Sequence, residues 1–317
     1  MFRGNAEATS LHYLVRGHGI RGHGLDGHGA CAQTGHVLLI HGLGSSGADW
    51  ALQVRALESR FHVIVPDLPG SGHSAAGNGE YSVEGFASAL WALADHLKAP
   101  KLNIIGFSLG GAVALEMALQ RPAAVPRLAL LNTLTSYRVD HWRKWLEARL
   151  PPVLVSLIGM RRTAALVAAR LFPHPWQRPL RERAAAVISA VPASCYLAMG
   201  RALERWSSSD RLHRLRSRTL MIAAEHDYTP LAEKHVMAAA LGAQIVVVRG
   251  SRHGTPFDSA DVTNACLLSL LTDQPLPSPE RWLCDRRPAL ADLPFVGSLA
   301  EEHALAKFAA GQLERGF

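Results

Sequence analysis

The sequence predicts an α/β chain built on a doubly wound, mostly parallel sheet, and three observations carry that prediction. Short runs rich in Val, Ile and Leu recur without polar alternation, the pattern of strands covered by helices on both faces. Segments of helical pattern separate those runs, as parallel strands joined by crossover helices require. The pentapeptide Gly106-Phe-Ser-Leu-Gly110 stands where one run gives way to a helix.

In chain order, the apolar runs place strands at 36–40, 61–65, 102–105, 128–131, 219–223 and 245–248. Helical patterns fall at 81–97, 109–120, 231–240 and 259–271. Two segments break the alternation. The His/Gly-rich stretch at 16–35, with His18, His23 and His28 in a repeat of five, is too rich in glycine for a regular element and is expected to be a loop. The longer segment 136–205 reads as several helices rich in Arg, Leu and Ala and is expected to form a helical cap over the sheet's catalytic edge. The core is then 1–135 with 206–273. Gln274-Pro-Leu-Pro-Ser-Pro ends the last core helix and opens an extension, 274–317, with a short Ala-rich helix expected at 299–312.

Composition narrows the function. With 317 residues, 48% hydrophobic and 19% charged, the chain can bury a large core, which excludes disorder throughout. Cys31, Cys195, Cys266 and Cys284 are widely spaced and form no CxxC pair, so neither a disulfide scaffold nor a zinc finger is expected, and a reducing compartment fits. The first ten residues hold no apolar stretch of signal-peptide length, and no uninterrupted apolar run reaches spanning length. The expectation is a cytoplasmic protein without a membrane span. The net charge of +7 suits an anionic partner, but no nucleic-acid-binding motif accompanies it. Twelve Arg and Lys against four acids give the 136–205 segment a net +8 by itself. Solvated arginines whose stems cover apolar area account for this charge; docking of an anionic acyl carrier is the sharper reading.

The chemistry centres on Ser108. A serine between Gly106 and Gly110 at a strand-to-helix turn is exposed on a tight backbone, with the helix's amide groups and positive end directed at the reacting oxygen. A free hydroxyl is a poor nucleophile and needs a base with an orienting partner. His253 follows the last apolar run and Asp227 the one before it, in the order Ser, Asp, His. Glu225, two residues before Asp227, competes for the orienting role. His41 and Asp67 are read as shaping loops, Asn132 at a strand end and His73 in the Gly70-Ser-Gly-His-Ser turn as structural, and the His18, His23 and His28 repeat as a solvated insertion rather than a metal site.

From about 36 to 271 the chain resembles the α/β-hydrolase superfamily. The resemblance rests on His41-Gly-Leu-Gly, Asp67-Leu-Pro-Gly-Ser-Gly-His-Ser, the Ser108 turn, and the Asp227 and His253 loops, in this order. It implies the α/β-hydrolase fold, a Ser108–His253–Asp227 triad and an oxyanion hole from the backbone amides of Leu43 and Leu109. Such donors are worth roughly 100- to 1,000-fold in turnover each. Serine at the elbow sets the chain apart from the haloalkane dehalogenase branch, which carries aspartate there. Carboxylic ester cleavage through an acyl-enzyme, with no cofactor and no metal, is the expected reaction and a small-molecule ester the expected substrate. A thioesterase or acyl-carrier-protein ester hydrolase, and a non-catalytic small-ligand receptor, are the alternatives.

Overall fold

The computed structural model describes residues 2–6, 11–17, 35–77, 81–138 and 142–284. Eight strands form one sheet: β1 (Phe2–Ala6), β2 (Leu11–Arg16), β3 (His36–Ile40), β4 (His62–Pro66), β5 (Leu102–Phe107), β6 (Arg127–Leu131), β7 (Arg218–Ala224) and β8 (Gln244–Val248). Their order is β1-β2-β4-β3-β5-β6-β7-β8. β3 to β8 run parallel, and β1 and β2 add an antiparallel edge beside β4. β3 lies between β4 and β5, with His36 opposite both His62 and Leu102.

The helices are α1 (Ala51–Leu57), α2 (Val83–His96), α3 (Leu109–Gln120), α4 (Trp142–Leu171), α5 (Arg178–Ala190), α6 (Ala193–Arg205), α7 (Leu231–Leu241), the short α8 (Thr255–Asp258) and α9 (Ala260–Leu271). They cover both sides of the sheet. Leu38, Ile40 and Ile104 point to one apolar layer with Phe86 and Leu90 of α2, α3, and Met237 of α7. Val37, Leu39 and Ile105 point to the other, with Leu57 of α1 and Leu267 of α9. Two-sided burial is why these strands read as continuous apolar runs.

α3 is buried from Leu109 to Leu119, as a helix apolar all round must be. α2 starts where Ser82 Oγ accepts a hydrogen bond from the Gly85 amide at 2.9 Å. α7 stops at Gly242, whose φ of 59° suits a residue without Cβ.

α4, α5 and α6 form the insertion between β6 and β7. Non-helical backbone at Gly159 (φ 77°) bends α4. Beyond the bend, Ala164 and Ala168 bury one side of the helix, and α5 packs along it. At the exit of the insertion, buried Glu116 of α3 accepts hydrogen bonds from Trp206 Nε1 at 3.0 Å and from Arg211 Nη1 and Nη2 at 3.0 and 2.9 Å.

Three differences from the sequence reading have physical causes. β2 is a strand with one side in the core, burying Leu11, Tyr13 and Val15 alternately, so a search for continuous runs passes over it. α1 and α8 are too short for helical periodicity to register. Finally, Arg149–Leu171 within α4 is long and apolar enough, by length and composition, to cross a membrane. Pro151, Pro152 and the Arg161–Arg162 pair interrupt the unbroken run that the sequence reading sought, whereas a helix averages over its whole length. The His18, His23 and His28 repeat, Cys31 and the helix expected at 299–312 lie outside the described residues.

Replacing Glu116 leaves Trp206 and a half-buried Arg211 without their shared acceptor. Glu116→Ala is expected to lower unfolding free energy by about 2 kcal/mol. Urea denaturation measures this, with Glu116→Gln losing less because it keeps an acceptor oxygen.

Candidate active site

Ser108 sits at the turn from β5 into α3 with φ 54° and ψ −118°, a strained backbone for a residue with a side chain. The turn is this tight because neighbouring backbone closes on it. A Cβ at Gly106 would collide with the Gly110 carbonyl, and one at Gly110 with the carbonyl of Ile40. The Ser108 amide is fixed by Leu131 O at 2.9 Å, and its carbonyl accepts from Thr133 Oγ1 at 2.9 Å.

The structure brings Ser108, His253 and Asp227 into one hydrogen-bonded line. His253 Nε2 lies 2.9 Å from Ser108 Oγ, and His253 Nδ1 lies 2.8 Å from Asp227 Oδ1. Since a carboxylate can only accept, Nδ1 carries the proton and Nε2 offers its lone pair to the serine. Glu225 is not in this line; it is exposed and accepts from the Gly250 amide at 2.8 Å. β7 ends at Ala224, so strand alternation does not govern either acid.

Two neighbours of this line are absent from the sequence reading. Lys234 of α7 is fully buried and ion-paired with Asp227 Oδ2, which also accepts from Thr229 Oγ1 at 2.7 Å. Burial alone would push the Asp227 carboxyl up, but the charges and hydrogen bonds of His253 and Lys234 outweigh it and hold the carboxyl well below the usual carboxylate range. A signal for Lys234 existed, because it shares a helix face with buried Met237 and Ala238. Tyr228 is the second: its hydroxyl lies 2.9 Å from His253 Nε2, so it and Ser108 contend for one lone pair. Tyr228 as a whole is 39% exposed, yet its hydroxyl is enclosed, and burial next to Asp227 raises its pKa well above the ordinary value. Nothing in the sequence distinguishes it from a loop tyrosine.

Asn132 is the strut under the site. It donates to His253 O and Thr255 Oγ1, both at 2.8 Å, and accepts from the Ala224 amide at 2.8 Å and from Lys234 Nζ at 3.3 Å. His41 and Asp67 tie the loops beside it. His41 Nε2 accepts from the Leu68 amide at 2.9 Å, and Asp67 accepts from the Gly47 and His73 amides at 2.7 and 2.9 Å.

Above Ser108 lies a cleft of about 780 Å³ including its open mouth. Leu43 lines it, while Leu109 is buried at the first position of α3. Val167 and Leu171 of α4 and Leu180, Val187 and Ile188 of α5 make its outer wall apolar. Its polar corner is Arg183, with Nε 3.5 Å from Asp49 Oδ1. Among the described residues, no group of three or more His, Cys, Asp or Glu is placed to hold a metal ion.

A parallel sheet with a serine, histidine and acid converging at the C-terminal ends of its strands defines a hydrolase class, and the comparisons with known proteins agree. The family model for the α/β hydrolase fold matches residues 35–259. The chain belongs to the α/β-hydrolase family. It is 30% identical over 247 residues to a protein of Pseudomonas syringae named as a carbamate hydrolase, RutD, covering 75% of this chain and 94% of that one. It is 35% identical over 166 residues to the magnesium-chelatase 30 kDa subunit of Rhodobacter capsulatus; that match spans 51% of this chain and 56% of the relative, about half its length. Among solved structures, the enol-lactonase of Burkholderia xenovorans superposes with a TM-score of 0.73 at 24% identity, covering 85% of this chain and 99% of that one. A thermophilic esterase of Thermogutta terrifontis gives 0.71 at 24% identity, covering 86% and 98%. At such identity these structures show the fold alone.

Because the Asp227 carboxyl is depressed in the folded chain, its stabilisation is complete above the unfolded value of about 3.9 and is lost as pH falls below it. Asp227→Asn should therefore lower stability at pH 7, leaving Lys234 buried without its counter-charge, and flatten the loss below about pH 4. Urea midpoints of both proteins across pH 3 to 8 measure it.

Proposed function

We propose that the protein is a serine hydrolase that cleaves a carboxylic ester through Ser108, His253 and Asp227. The observation that carries this reading is the continuous hydrogen-bonded line from Asp227 through His253 to Ser108, at the floor of an apolar cleft. His253 Nε2 takes the Ser108 proton as Oγ attacks the carbonyl carbon. The carbonyl oxygen becomes an oxyanion, for which the amides of Leu43 and Leu109 are the donors by family resemblance. Collapse breaks the bond to the leaving oxygen, which takes the proton from Nε2 and departs as an alcohol. Water, deprotonated by His253, then attacks the acyl-enzyme and releases the acid and free serine. Asp227 holds the Nδ1–H tautomer and stabilises the imidazolium at each step.

The apolar wall formed by α4 and α5 as a cap favours an uncharged ester with a medium acyl chain. The named carbamate hydrolase relatives favour a second carbonyl class, carbamates, which the same attack would open.

Wild type and Ser108→Ala, assayed on p-nitrophenyl esters from acetate to palmitate with a lactone, a carbamate and an acyl thioester, test the reading. Turnover of esters that falls on the order of 10⁴-fold or more in the variant supports it. Turnover retained by the variant contradicts it, and turnover of carbamate alone moves the assignment to that class. Tyr228→Phe removes the hydroxyl that contends for His253 Nε2. Its kcat/KM on p-nitrophenyl butyrate, whose leaving group needs little protonation, is expected to rise by about fivefold, the worth of one net hydrogen bond.

A further inference from the structure

We propose that the outer face of the insertion docks on an anionic lipid surface and presents the mouth of the Ser108 cleft to molecules dissolved in it. The role given to the cleft rests on the ester-hydrolase reading; the lipid docking does not.

Two independent features meet on this segment. The first is unpartnered apolar area. Arg149–Leu171 is apolar enough to cross a membrane, yet only 17% of that stretch is buried in the molecule. Leu150, Val153 and Leu157 are exposed by 51%, 49% and 76%, and their spacing of three and four puts them on one side of the helix. Leu166 and Trp176 extend the exposed apolar surface, at 52% and 46%. Monomeric soluble proteins rarely leave contiguous patches of this kind uncovered. The second feature is charge. Between Glu147 and Glu182 there is no acidic residue, while Arg149, Arg161, Arg162, Arg170, Arg178 and Arg181 all fall there; Arg178 is ion-paired with Glu182 and Arg181 donates to Phe172 O, so the exposed Arg161–Arg162 pair carries the argument.

The combination selects the occupant. An acidic carrier protein would answer the arginines and leave the leucines in water. A second copy of this face would set the Arg161–Arg162 pair against its own positive charge, since Glu182 is already taken by Arg178 at 2.7 Å. An anionic bilayer answers both, with headgroup phosphates for the guanidinium groups and the acyl boundary for the leucines. Arg161 and Arg162 are exposed just past the bend at Gly159, and their long stems allow the heads to reach phosphates while the helix lies flat. The helix lies on the surface rather than spanning it. Thr163, Ala164 and Ala168 on its inner side are buried in the protein, and Val167 and Leu171 line the cleft, so leaving the body would strip both.

The test is co-sedimentation of the full chain with vesicles of phosphatidylcholine alone or with phosphatidylglycerol added, at low and high salt. Binding to the phosphatidylglycerol vesicles, weakened by salt, is expected. The Leu150→Glu, Leu157→Glu double variant should bind at least about tenfold more weakly, and Arg161→Gln, Arg162→Gln about tenfold more weakly. Both variants should keep the wild-type thermal midpoint and wild-type turnover of a soluble short ester. Absence of wild-type binding, or equal binding by the variants, overturns the proposal. So does a dimer in light scattering that the double Glu variant dissolves, which assigns the face to a second copy, or binding of acyl carrier protein with none to vesicles. Vesicle binding without turnover of any ester would leave the docking standing and remove the ester-hydrolase reading.

Discussion

The buried charge of Asp227 organises the end of this molecule where Ser108 lies. A lone carboxylate taken out of water is costly, and here its partners come from separate pieces of chain: His253 from the loop after β8, Lys234 from α7, and Thr229 from its own loop. Lys234 in turn reaches Asn132 at the end of β6, which fixes the carbonyl of His253. The loops that carry the acid and the base are thereby closed into one network with the sheet, and the imidazole has one tautomer and one orientation. A misplaced loop would leave at least one buried charge or polar group unpaired, so the same interactions that hold the fold align His253 with Ser108.

Ser108 depends on a different constraint, the closeness of backbone at the end of β5. Only glycine at 106 and 110 lets α3 begin so near the carbonyls of Ile40 and His41, and this proximity sets Ser108 beside the loop carrying Leu43. Asp67 and His41 pin that loop from below with hydrogen bonds to backbone amides. Strain at Ser108 is sustained because the Leu131 and Thr133 contacts and the buried α3 leave it no alternative.

The sheet from β3 to β8 was legible because two-sided burial writes itself as apolar runs, and the Ser108 turn because its glycines are demanded locally. The line of Ser108, His253 and Asp227 could be named because each residue falls just past a strand. Asp227 is preferred to Glu225 from the sequence by its distance from the strand tip, and the structure places Asp227 against His253 Nδ1 and Glu225 against the Gly250 amide. Lys234 and Tyr228 were not read, because a buried lysine has no meaning until its counter-charge is located across the fold, and a tyrosine none until its hydroxyl is placed. β2 was passed over because its alternation is the signature of a strand with one side in the core.

The insertion adds an apolar wall over Ser108, with Arg183 and Asp49 as a polar corner. Whether Ser108 is activated by His253 and Asp227 is read by intact-mass analysis with peptide mapping after reaction with a fluorophosphonate. One adduct is expected, on Ser108, forming far more slowly in Asp227→Asn. No adduct, an adduct on another residue, or an unchanged rate in Asp227→Asn would contradict that activation.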